Sequence, residues 1–231
     1  MSWPGTDPYY DYNPTQGNAR RTYYGLNWVP YMCIDGENDE GSTSVWESHI
    51  LSNAQTTAPL ALSAAANFDY QSGLGSCLVT LDPETGINGT YTLHLVLVQD
   101  GLYYMGSNGY PDHENVMRNM FPSSAGTSIT LTEGVQSVEQ VDFQIPLSFP
   151  IDDCRFVIFV QASDHTVLNA FTSYVGELPP LNIPMLSALS TNISVVGDDG
   201  DGTLNPGESA EYTVTVQNNC DFVTAQEVTG Y

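Results

Sequence analysis

Between residues 60 and 177, apolar residues recur at every second position or in short unbroken runs, at 60–66, 76–81, 90–98, 128–131, 140–145, 155–160 and 167–174. A period of two is the signature of a strand with one face covered, and a short continuous apolar run that of a strand covered on both. Turn-forming pairs separate several of these segments: Asp82-Pro83, Asn88-Gly89, Glu133-Gly134 and Asp152-Asp153. Seven short strands with turns between them predict an antiparallel two-sheet β-sandwich over 59–177. One long connection, 103 to 126, interrupts the pattern, and a short helix is expected in it around Asp112–Arg118.

The flanks read differently. Asn13-Pro14 is an N-cap followed by proline at the first helical position, opening a helix through Tyr24 that Gly25 ends. Tyr31-Met32-Cys33-Ile34 reads as a short strand that stops at the Asp35-Gly36 turn. Ser44 is expected to cap a second helix over 45–55, with Trp46, Ile50 and Leu51 on one face. Residues 178–185 form a proline-bearing linker. Beyond it lie two strand patterns, 193–196 and 212–216, around an acidic, glycine-rich stretch. Two or three strands do not close a domain, so 186–231 is expected to be an incomplete β module. The fold class expected is mostly β with a small α/β part.

Composition changes what the molecule can do. Against 27 Asp and Glu stand four arginines (Arg20, Arg21, Arg118, Arg155) and no lysine, a formal charge of −23. Nucleic acid and anionic membrane surfaces need clustered cations that this chain lacks. No apolar run reaches the roughly 18–20 residues of a membrane-spanning helix. Met1-Ser2-Trp3-Pro4-Gly5 has neither the basic flank nor the apolar core of a signal peptide, and the rest of the pattern favours a start downstream of an exported protein's true beginning. Four scattered cysteines (Cys33, Cys77, Cys154, Cys220) have no zinc-ligand spacing. They read as buried thiols, or, for Cys77 and Cys154, as a pair bridging the sandwich.

Several motifs in order carry a resemblance. Tyr23-Tyr24-Gly25-Leu26-Asn27-Trp28-Val29-Pro30, followed by an apolar strand and Asp35-Gly36, resembles a thioredoxin-like fold at its cis-proline turn. With Trp3-Pro4, Asp7-Pro8, Asn13-Pro14 and Asp112-His113-Glu114-Asn115-Val116-Met117-Arg118, the chain resembles the Omp-twenty-eight outer-membrane protein family over 1–177. The resemblance implies the second half of a thioredoxin-like domain (1–58), with Pro30 as its cis-proline, before a β-sandwich (59–177). It also implies export by a Gram-negative bacterium to its surface or surroundings. The chain departs from a redox domain in one respect: no CxxC occurs in it, and Cys33 lies beyond Pro30. The stretch from Asp198 to Glu208, ending Leu204-Asn205-Pro206-Gly207-Glu208, resembles the calcium-loop start of Ig-like modules in secreted bacterial proteins, which makes 186–231 the beginning of such a module.

Hard cations take six to eight oxygens from carboxylates and carbonyls. Asp199, Asp201 and Glu208 fall in EF-hand register, but Gly197 occupies the first ligand position and a strand follows Glu208. A looser calcium site of Asp198, Asp199, Asp201 and Glu208 is expected, against the plain alternative of a solvated turn. Asp112, His113, Glu114 and Arg118 carry acid–base side chains without a nucleophile at an interpretable spacing, and read as structural, as do His49, His94 and His165. Trp3, Tyr9, Tyr10, Tyr12, Tyr23, Tyr24, Trp28 and Tyr31 form an aromatic cluster suited to packing, or to binding a glycan or peptide. The function expected is a non-catalytic exported surface module, acting as scaffold, spacer or adhesion surface toward other surface proteins or glycans. The alternative is a piece of a thiol–disulfide oxidoreductase whose redox motif lies upstream.

Overall fold

The computed structural model describes residues 7–39, 43–84, 86–106, 109–181, 186–196, 203–206 and 209–218. Its elements run α1 (Pro8–Tyr12), α2 (Pro14–Tyr23), β1 (Met32–Ile34), β2 (Glu37–Asp39), α3 (Trp46–Asn53), β3 (Leu60–Phe68), β4 (Leu74–Pro83) and β5 (Gly89–Gln99). They continue with β6 (Leu102–Tyr103), β7 (Asp112–His113), β8 (Val116–Phe121), β9 (Thr127–Leu131), β10 (Ser137–Gln144), β11 (Cys154–Gln161), β12 (Val167–Tyr174), β13 (Leu186–Val196) and β14 (Ser209–Asn218). The protein is mostly antiparallel β, and contacts divide it into two compact units, 1–179 and 180–231.

In the first unit, a three-stranded sheet in the order β10-β4-β3 faces a five-stranded one in the order β12-β11-β5-β8. β9 pairs the first half of β5, and β8 the second half. One apolar core fills the space between the sheets: Leu60, Ala64 and Ala66; Cys77, Val79 and Leu81; Leu93, Leu95 and Leu97; Val141 and Phe143; Cys154, Phe156, Ile158 and Val160. All seven strands expected over 59–177 are present, at nearly the expected places. Cys77 and Cys154 lie in this core as free thiols, the first of the two readings of them, and not as a bridging pair. Burial pushes the first up to about 12 and the second up to about 11, so both are inert at neutral pH.

β10 and β5 show how pattern reports covering. β10 alternates, with Val141 and Phe143 inside and Asp142 and Gln144 outside. β5 is buried at every position from Leu93 to Gln99, because its outward residues Val96 and Val98 pack with Met120, Met117, Val157 and Phe159 in a second apolar layer. The N-terminal segment supplies the cover. Asp7 caps α1 through the Tyr9 N–H at 2.9 Å, and Asn13 caps α2 through the Gln16 N–H at 3.2 Å, with Pro14 first in the helix. The Gln16 carboxamide then pairs with the backbone of Met120 on the edge strand β8, accepting from its N–H at 2.7 Å and donating to its carbonyl at 3.0 Å. Asn13 donates to the Arg118 carbonyl at 3.1 Å. Two side-chain amides thus occupy backbone groups that an edge strand otherwise leaves open.

Two local expectations are corrected. The 103–126 connection holds a strand, β8, where a helix was expected: Val116-Met117-Arg118-Asn119-Met120 is extended, Arg118 lies over Tyr12 of α1, and the Asn119 side chain accepts from the Met120 N–H. The helix after residue 43 opens at Trp46 with Val45 at the N-cap position and no side-chain cap, so Ser44 does not cap it. Ile50 and Leu51 stand out into solvent.

In the second unit, β13 and β14 pair antiparallel, with Thr191 opposite Val214 and Ile193 opposite Tyr212. Trp3, Asp198, Asp199, Asp201 and Glu208 lie outside the described residues, so the expected calcium site does as well.

Candidate functional site

Three arginines organise the first unit, and each lies on an aromatic ring. Arg20, buried on α2, donates through Nη2 to the Gln161 Oε1 at 3.0 Å and to the Tyr24 hydroxyl at 2.9 Å. Its guanidinium lies 4.6 Å from the Tyr23 ring centre, 4.9 Å from Tyr24 and 5.8 Å from Phe159. Gln161 Nε2 donates to the Tyr24 hydroxyl at 2.9 Å and to the His165 carbonyl at 2.6 Å. The His165 ring, on the β11–β12 turn, packs 4.2 Å from Tyr23. Helix α2 is thereby fastened to one end of β11 by a buried polar and aromatic knot.

The turn between β1 and β2 closes on the same place. Gly36 has φ +88°, and the Asp35 carbonyl accepts from the Val167 N–H at 2.8 Å. The Val29–Pro30 peptide just ahead of β1 is cis. Beside the hairpin lies a shallow groove of about 380 Å³ lined by Tyr24, Leu26, Tyr31, Cys33, Asp35, Gly36, Phe159, Val167 and Ala170. The half-buried Cys33 thiol is pushed above its ordinary value by burial, partly offset by the nearby Arg20 charge. A raised thiol is a poor nucleophile at neutral pH.

The acid–base residues of the 112–118 stretch do not converge. His113 Nε2 is 2.9 Å from the Tyr104 carbonyl and its ring packs on Tyr9 at 5.0 Å. A Glu114 carboxylate oxygen accepts from the Gly101 N–H at 3.2 Å. Arg118 lies over Tyr12 at 3.9 Å and Phe149 at 4.6 Å, with burial lowering its basicity. Sequence reasoning missed the third knot, around Asp100. Its carboxylate accepts from Arg155 at 2.8 Å, from the Asn115 N–H at 2.7 Å and from the Tyr174 hydroxyl at 3.3 Å. Burial pushes this carboxyl up, but those three donors outweigh it and hold it below its ordinary value. Arg155 also donates to Asn115 Oδ1 at 2.6 Å and lies 5.1 Å from the Tyr174 ring. Among the described residues, no three His, Cys, Asp or Glu side chains gather as metal ligands would.

His49 is exposed on α3. His94, on the outer face of β5, is buried and stacks 4.7 Å from Phe159. Burial first, and the Arg20 charge second, push its imidazole down to about 4. The unfolded chain protonates it near pH ~6.5. Between these values the unfolded state binds the extra proton, so stability is complete above about pH 6.5, falls as pH drops, and levels off near 4. The loss expected from this residue is on the order of 2–3 kcal/mol. Urea unfolding at several pH values, compared with His94→Phe, isolates it: the variant should lack that part of the acid dependence.

The class defined by this arrangement is an antiparallel β-sandwich whose larger sheet is covered on its outer side by the N-terminal helices and by the hairpin that follows the cis Val29–Pro30 peptide. No family model and no curated protein matches the chain. Among solved structures it is similar to HBP35 of Porphyromonas gingivalis, at 15% identity over 93% of this chain and 81% of that one, with a TM-score of 0.63. It is also similar to a domain of the outer membrane lipoprotein Omp28 from Porphyromonas gingivalis, at 14% identity over 54% of this chain and 92% of that one (TM-score 0.37). The first likeness supports the fold.

Proposed function

We propose that this chain is a non-catalytic module of an exported, Omp28-like bacterial surface protein, acting as scaffold, spacer or adhesion surface. The observation that carries this reading is where the reactive side chains go. Arg20, Arg118, Gln161 and His165 fasten the N-terminal segment to the five-stranded sheet, Arg155 ties β11 to Asp100 and to Tyr174 of β12, His94 stacks on its cross-strand neighbour Phe159, and the Cys33 thiol is raised rather than activated. The acidic, lysine-free composition supports a solvated, salt-tolerant exterior. In this reading the segment bearing Asp198, Asp199, Asp201 and Glu208 takes calcium as a structural ion. Brief protease treatment of intact cells tests the placement. The full-length protein is expected to be cleaved while a cytoplasmic marker survives; protection until lysis would overturn the reading.

A second reading, a piece of a thiol–disulfide oxidoreductase, draws on the helix–hairpin–helix order of 14–53 with Cys33 on the first hairpin strand. It requires redox chemistry outside this chain, which contains no CxxC.

A further inference from the structure

We propose that the arm formed by β6 and β7 captures a lysine or arginine side chain of a partner protein between Tyr103 and Asp112. The two are cross-strand partners in the hairpin, which places their side chains side by side on one face. The Tyr103 ring is 72% exposed, the Asp112 carboxylate is exposed, and neither side chain has a partner among the described residues. Tyr110, also 72% exposed, and Met105 enlarge the surface beside them.

The arm is braced from below. Gly101 binds Glu114, Asn115 binds Asp100, and Tyr104 and His113 pack against Tyr9. A braced pair loses little freedom when it binds. The chain already uses this chemistry on itself: Arg155 sits between a carboxylate, Asp100, and a tyrosine ring, Tyr174. Arg20 and Arg118 lie on tyrosines too. Tyr103 and Asp112 bring the same two kinds of side chain together as cross-strand partners, without a guanidinium. A chain with a charge of −23 and no lysine attracts a cationic partner over distance, and the ring and carboxylate then fix the contact. This names a partner class for the interaction module proposed above, but its test in solution does not depend on where the protein resides.

The probe is a fluorescent oligo-arginine peptide, its binding followed by polarisation at low salt and at about 0.5 M salt, where the screening length is ~4 Å. At the higher salt, Tyr103→Leu and Asp112→Asn are each expected to weaken binding about three- to tenfold. Tyr103→Phe, which keeps the ring face, is expected to bind like the parent. All of these side chains are exposed, so melting temperatures should match. Equal binding by all four proteins would overturn the proposal and leave diffuse charge attraction only. Displacement of the peptide by a neutral oligosaccharide would overturn it in favour of a glycan.

Discussion

Arg20→Ala is expected to lower the stability of the first unit by about 4 kcal/mol. The side chain is 7% exposed, and its loss acts in three ways. The Gln161 Oε1, at a residue 1% exposed, loses its donor, which costs about 1–3 kcal/mol. The stacking of the guanidinium on Tyr23, Tyr24 and Phe159 goes, at about 1–2 kcal/mol. The aliphatic stem stops covering the outer layer. Arg20→Lys should recover only part of this, because a point-like ammonium cannot lie flat on the rings while reaching both acceptors. Urea unfolding at neutral pH gives the difference, and a change under about 1 kcal/mol would show that the knot is not holding the layer. Removing Arg20 also removes a charge that helps depress His94, so the part of the acid-dependent loss carried by that imidazole should shrink.

Gly36→Ala is expected to cost as much, about 4 kcal/mol, by a different route. At φ +88° any L side chain is strained, and a β-carbon there would run into the backbone carbonyl of His165. No flexible side chain can move aside to relieve it. The hairpin must retreat, breaking the Val167 N–H bond to the Asp35 carbonyl and opening the groove to water. Limited proteolysis should then cut the stretch from 24 to 59 ahead of the sandwich strands. A melting temperature within a degree or two of the parent protein, with unchanged proteolysis, would show that the turn is not seated on the β11–β12 corner.

The sandwich was legible because its strands follow a period of two or short apolar runs, Leu95–Val98 of β5 among them. What covers the outer face of β5 was not legible. Gln16 meets Met120 from 104 positions away, and nothing near either residue in sequence marks the pairing. β8 escaped notice for the same reason: Arg118 and Asn119 look like loop residues until a ring and a side-chain amide from the N-terminal helices meet the strand. A signal was available in His94 and Gln161, polar residues set within apolar runs, since buried polar groups need partners. It pointed to a network without naming Arg20. Ser44 shows the opposite error, a good capping residue one place ahead of the N-cap position that Val45 takes. Among the functional candidates, the 112–118 motif was visible as chemistry, but its side chains disperse to separate structural tasks.

The central claim is that this chain's reactive side chains hold its fold together and perform no thiol–disulfide chemistry. The most direct measurement is dithiothreitol-driven reduction of insulin, followed by turbidity, with the parent chain, with Cys33→Ser and with no protein added. Burial holds the Cys33 thiol above its ordinary value, and the chain has no second cysteine at redox spacing. All three traces are therefore expected to coincide. Precipitation several-fold faster with the parent chain than without protein, and lost in Cys33→Ser, would contradict the account.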